Sequence, residues 1–131
     1  MLNRLFFCFV SEDSQTIAED LYMSKEQVIE LHRRGMYVGG HGGSHDWLST
    51  LSASEKATDV KKTKDFVASI GTDVQGWIYC YPYGDWDSPS ISFLKQAGCV
   101  MGLTNIPGRA SLSEGSAFMI KRFDTNDFPF A

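Results

Sequence analysis

Two of the three histidines in this 131-residue chain, His41 and His45, lie four residues apart in the run Gly39-Gly40-His41-Gly42-Gly43-Ser44-His45. Neutral imidazole is a favoured zinc ligand, and catalytic zinc typically takes three protein ligands while keeping one position open for water. Two imidazoles at this spacing supply two of the three. The glycines on either side of His41 free the backbone from side-chain sterics, so the segment reads as a tightly bent loop following a short strand. In parallel α/β architectures, ligand-bearing loops gather at the C-terminal ends of strands. Taken by itself, H-x-x-x-H is also what an ordinary pair of loop histidines shows.

A second segment, Tyr81-Pro82-Tyr83-Gly84, closes the next predicted strand. Such a turn can offer a main-chain N–H rather than a side chain to a reacting group, although Pro and Gly also simply end strands. Asp85 and Asp87 follow it and read as turn-stabilising carboxylates.

These segments need elements to position them. Leu2, Leu5, Phe6 and Phe9 fall on one helical stripe, and Ser11 is placed to cap a second short helix containing Ile17 and Leu21. Ser24 with Gln27 is a capping box, opening a helix with Val28 and Leu31 inward, Arg33 and Arg34 in its last turn and Gly35 as its stop. His32 reads as a helix-surface residue. Residues 36–38 are a strand candidate leading into the histidine loop. Ser52 with Glu55 opens the next helix, in which Ala57, Val60, Lys64 and Val67 keep helical spacing up to Gly71. Residues 77–81 form an aromatic and β-branched strand. Ser88 as cap and Pro89 at the first helical position predict a helix ending at Gly98. Residues 99–103 and 118–123 complete the strand candidates around a loop-like 104–116. Alternating helices and strands predict an α/β fold with mostly parallel strands, in a single domain over residues 1–131.

Composition narrows the function classes. Apolar residues make up 43% and charged residues 21%, which is ordinary globular usage. The net charge is -4 and the basic cluster Lys61, Lys62, Lys64 alternates with acids on a helix, so it predicts a solvated face and no nucleic-acid partner. Cys8, Cys80 and Cys99 are odd in number and dispersed, which argues against a disulfide framework. No run approaches the ~20 apolar residues of a membrane span, and the apolar run 5–10 is shorter than a secretory core of ~7–15 residues. The expectation is a soluble, cytoplasmic chain without a membrane partner.

Taken together, VGGHGGSHDWLSTLS around the histidines and GWIYCYPYGDWD around the proline turn resemble the polysaccharide deacetylase family, the nodulation-type deacetylase homology domain. The order of the segments, the single helix between them and the later Lys95-Gln96-Ala97-Gly98-Cys99 passage all match, over roughly residues 24–127. The resemblance implies a (β/α) barrel and a metal-dependent hydrolase that removes N-acetyl groups from an amino-sugar polymer or glycoconjugate. It makes His41 and His45 ligands of zinc or another divalent metal. The Tyr83 N–H becomes an oxyanion donor, with Pro82 and Gly84 shaping its turn and Asp85 and Trp86 near the substrate.

The match also has gaps. The family's Asp-Asp segment, which carries the base and third ligand, has no counterpart before residue 25, and no histidine follows His45 to act as the acid. Gly42 replaces the Ser or Thr that commonly follows the first ligand. Cys80 stands at the arginine position of R-x-P-Y-G, and Arg122 is the candidate substitute. The expectation is therefore the C-terminal part of such a domain, a partial barrel that is weakly active or inactive alone and can lack its metal. Its exposed sheet edge would be open to homodimer formation. A non-catalytic domain that binds glycan or a partner is the alternative.

Overall fold

The computed structural model describes residue 8 and residues 14–111 and 115–128. The apolar stripe Leu2, Leu5, Phe6, Phe9 and the Ser11 cap lie outside the described residues. The chain divides into two units, Met1–Met36 and Tyr37–Ala131.

In the first unit, α1 (Ser14–Leu21) precedes α2 (Lys25–Arg33). The capping box forms as the sequence predicts: the Ser24 hydroxyl accepts the Gln27 N–H, and the Gln27 side chain accepts the Ser24 N–H. At the other end the N–H groups of Gly35 and Met36 close onto the carbonyls of His32 and Leu31. The inward face does not materialise, because Val28 is only half-buried and Leu31 is 38% exposed. His32 departs from its expected surface position too: it is half-buried, and its Nδ1 is shielded without a partner.

The second unit carries the core. Its α3 (Ala53–Ser69) opens on the Ser52–Glu55 capping box, and α4 (Ser88–Gln96) follows the proline turn. The cap of α4 is Asp87, one residue earlier than predicted, with the Ser90 N–H donating to Asp87 Oδ1 at 2.8 Å. β1 (Trp77–Cys80) and β2 (Cys99–Leu103) pair in parallel. Period-2 alternation turns Trp77 and Tyr79 into a cluster with Val60, Val67, Leu94, Cys99 and Phe118, while Ile78 and Cys80 stay half-buried. Fully burying side chains of this size is worth roughly 1.5–3 kcal/mol each before entropy is counted.

The predicted strand 118–123 shrinks to a single parallel bridge, Ile120 to Leu103, and in place of the predicted strand 36–38 there is one bridge in the loop after it, Gly40 to Tyr79. Side chains take the backbone groups a longer ladder needs. The Tyr37 hydroxyl accepts the Ile78 N–H at 2.7 Å, and Thr72 Oγ1 donates to the Val38 carbonyl at 2.9 Å, so residues 36–38 never pair. Likewise the Tyr81 hydroxyl donates to the Phe118 carbonyl at 2.9 Å and occupies one end of the 118–123 segment. What forms is the expected α/β arrangement with parallel pairing, built among the described residues on a two-stranded open sheet, far short of a barrel.

Candidate metal centre

The histidine loop leaves the sheet at Gly40, whose N–H and C=O bond to the Ile78 carbonyl and the Cys80 N–H. A Cβ at Gly40 would overlap the Trp77 ring and Thr63, so the backbone passes where only glycine fits. Gly42 has φ +82°, and a Cβ there would stand 2.9 Å from Pro82 Cγ. This close approach seats the loop against the proline turn, and it also accounts for the missing hydroxyl residue at position 42.

His41 and His45 converge. Their Nε2 atoms lie 3.2 Å apart, and His41 Nδ1 lies 2.9 Å from the Cys80 carbonyl. A carbonyl can only accept, so His41 carries its proton on Nδ1 and presents a lone pair at Nε2. Without a cation, His45 Nε2–H donates to that lone pair. Two nitrogens each ~2.0–2.1 Å from a shared tetrahedral ion would sit about 3.3 Å apart, so the observed separation fits zinc. Among the described residues, no group of three or more His, Cys, Asp or Glu is placed to hold a metal ion. The described residues thus bring two imidazoles to a separation that a shared ion accepts, short of a full ligand set.

His45 has φ +56°, unusual for a non-glycine residue, and so does Tyr83 across from it at +57°. Their rings meet edge to face at 4.8 Å, and Trp47 stacks on the other side of Tyr83 at 4.7 Å and 10°. Pro82 is buried and Tyr83 is half-exposed. Within the turn, Gly84 and Asp85 N–H donate to the Tyr81 and Pro82 carbonyls, which leaves the Tyr83 N–H outside that pair of bonds. The Tyr83 carbonyl is held by Asn105 Nδ2 at 3.0 Å.

Asp85 does more than shape its own turn. Its Oδ2 accepts the Ser49 N–H at 2.6 Å, tying the proline turn to the 3-10 turn Leu48–Thr50 that follows the histidine loop. Asp87 pairs with the buried Lys56 at 2.9 Å, and Lys56 also donates to the Leu51 carbonyl. Burial pushes the Asp87 carboxyl up, but hydrogen bonds from Ser90 and Lys56 outweigh it and hold it below the usual range.

Trp86 is half-buried and packs towards Tyr81, lining a cavity of about 380 Å³ with Ile106, Met119 and Lys121 rather than meeting the histidine rings. Arg122 Nε donates to the Thr104 carbonyl at 2.8 Å. Burial raises the Cys80 thiol, and the Arg122 charge pulls it partly back.

Sequence reasoning missed Trp47, Asn105 and Asp59. A tryptophan two residues after His45 was a readable signal for the first. Nothing in the sequence marks Asn105. Asp59, whose Oδ1 accepts the Ser44 N–H at 2.8 Å, was read with the charged residues of a solvated helix face and is instead buried.

Comparison with known proteins bears on the family and the fold. A Bacillus subtilis (strain 168) protein named "Putative polysaccharide deacetylase YxkH" is 24% identical over 101 residues, covering 77% of this chain and 36% of its own length. The fold is similar to the Streptococcus pyogenes deacetylase PplD in complex with acetate, with a TM-score of 0.70 at 21% identity, over 82% of this chain and 46% of that one. The chain thus spans only about a third to a half of these relatives. The polysaccharide deacetylase family matches residues 4–102, starting well before residue 24, so the match does not mark the chain as a C-terminal part. Among the described residues no helix is long and apolar enough to cross a membrane. By that match over most of its length, the chain belongs to the polysaccharide deacetylase family.

Proposed function

We propose that this chain carries part of the centre of a metal-dependent carbohydrate N-deacetylase, with His41 and His45 as ligands of zinc or a similar divalent ion. The observation that carries the reading is the 3.2 Å approach of the two Nε2 atoms, with His41 fixed in its tautomer by the Cys80 carbonyl. When bound, the ion would supply a Lewis acid for water and for the acetamido carbonyl.

The chain's own residues have distinct parts. The Tyr83 N–H donates to the oxygen that gains charge as water adds to the acetyl carbon, and one such donor is worth about 2.7–4 kcal/mol in acyl transfer. Pro82 and Gly84 hold that N–H in its turn, and Asp85 fixes the turn to the loop after His45. Trp47 and Tyr83 wall the approach with aromatic surface suited to a sugar ring. Arg122, beside Cys80, supplies the positive charge that the family places at that position, and Trp86 shapes the ground behind the turn. The C–N bond then breaks, giving acetate and a free amino sugar. The base, the acid and the remaining ligand come from outside the described residues, in a longer chain or in a second copy paired along the sheet edge.

A non-catalytic, glycan- or partner-binding role is the second reading. The observation favouring it is that the described residues bring two imidazoles together without a further ligand group.

Zinc titration of the chain by calorimetry, with His41→Ala and His45→Ala as controls, tests the pair. The expected result is weak binding abolished by either substitution; binding that survives both would sink the reading. A deacetylation assay on N-acetylglucosamine oligomers separates the two readings, and little or no turnover is expected from the isolated chain.

A further inference from the structure

Beneath the histidine loop lies a carboxylate with an unusual set of partners. Asp59 is 4% exposed, on the inner face of α3. Its Oδ1 accepts the Ser44 N–H at 2.8 Å, one residue before His45. Its Oδ2 is buried and has no hydrogen-bond partner. The ion pairs among the described residues are Arg34–Glu30, Lys56–Asp87 and Lys61–Asp65, so no cation neutralises it there. The loop lies directly over it: a Cβ at Gly43 would stand 3.3 Å from Oδ1 and 3.3 Å from the Asp59 carbonyl oxygen. Thr63 Oγ1 donates to that same carbonyl at 2.9 Å, a bond within the helix that leaves Oδ2 unanswered.

A buried carboxylate with one empty oxygen and no counter-ion is a costly arrangement for a protein interior. Ordinary loop anchoring does not require it, because a neutral amide can also accept the Ser44 N–H without leaving a buried charge unpaired. The arrangement becomes favourable when a positive charge arrives nearby, and the loop that Asp59 holds through Ser44 carries the converging imidazole pair.

We propose that Asp59 is a positioning residue for a divalent cation at His41 and His45, anchoring the loop through Ser44 and placing its negative charge under the two imidazoles. The proposal rests on the reading of those histidines as ligands. It gives the ligand loop a support outside the loop itself: orientation from one carboxylate oxygen, electrostatic attraction from the group as a whole. Groups behind the ligands commonly tune affinity in this way, by about 10–100-fold.

The test measures zinc affinity by calorimetry and the metal-free unfolding midpoint for the wild-type chain, Asp59→Asn, Asp59→Ala and His41→Ala. Asp59→Asn keeps an acceptor for Ser44 and removes the buried charge. The expected result is a metal-free midpoint that holds or rises, together with zinc affinity about 10–100-fold weaker. Asp59→Ala, which loses the acceptor as well, is expected to lower both. A purely structural Asp59 predicts the reverse for Asp59→Asn, a lower metal-free midpoint with unchanged affinity, and that result overturns the proposal. Zinc uptake that needs His41 but ignores Asp59→Asn overturns the role of Asp59 alone. Uptake absent from the wild type, or untouched by His41→Ala, overturns the histidine reading and the proposal with it.

Discussion

Helices α2 and α3 begin with the same device and end with the same kind of turn, yet they lie in units of different character. Each opens on a serine capping box, Ser24 with Gln27 and Ser52 with Glu55. After that they diverge: α2 buries none of its residues, whereas α3 buries Lys56, Asp59, Val60, Thr63 and Val67. A cap is satisfied within four residues of chain and fixes only where a helix starts. What the helix then contributes depends on the surface it meets, which for α3 is the sheet beneath the histidine loop.

Substitutions can break this contrast or sharpen it. The largest effect is expected from Trp77→Ala, which empties a fully buried site in the second unit. It should cost about 3–5 kcal/mol in denaturant unfolding. Asp87→Ala comes next, since it removes the cap of α4 and strands the buried Lys56. About 2–3 kcal/mol at neutral pH is expected. Because the folded-state pKa of Asp87 is lowered, its contribution is fully present above the ordinary aspartate value of ~3.9 and is lost as pH falls through the folded value. Asp87→Asn should therefore flatten the acid side of a stability–pH curve. Ser24→Ala and Ser52→Ala should each cost about 0.5–1 kcal/mol, and neither should move zinc affinity. The smallest effect, under about 0.5 kcal/mol, is expected for Leu31→Ala in α2. If Leu31→Ala proved as damaging as Trp77→Ala, α2 would have a buried face after all and the contrast would fail.

The features legible in the sequence were those decided locally. Both capping boxes, the glycine stops and the span 99–103 needed only neighbouring residues to form, and the family resemblance came from two short segments in order. Features decided by distant partners were not legible. Residues 36–38 have strand composition, but the Tyr37 hydroxyl and Thr72 claim the groups a ladder would use. Ala57 kept the spacing of an inward position and is exposed, while Lys56 and Asp59 beside it are buried. Periodicity looks for apolar residues, so it passed over a face whose interior positions are polar and answered by Asp87, the Leu51 carbonyl and the Ser44 N–H. The site itself followed the same division. His41, His45 and the Pro82 turn were visible as motifs, whereas Trp47 and Asn105 join them only through the fold.

Consider finally the oxygen that holds His41, which belongs to the main chain of residue 80. Every amino acid brings that same oxygen to the same place, so the ring's protonation and aim are insulated from whatever side chain stands there. The departure from arginine to cysteine thus leaves the first imidazole untouched. With its thiol driven upward by burial, Cys80 also offers little sulfur anion at neutral pH to compete with nitrogen for an incoming cation. The side chain at residue 80 can therefore vary without disturbing how the His41 ring is held.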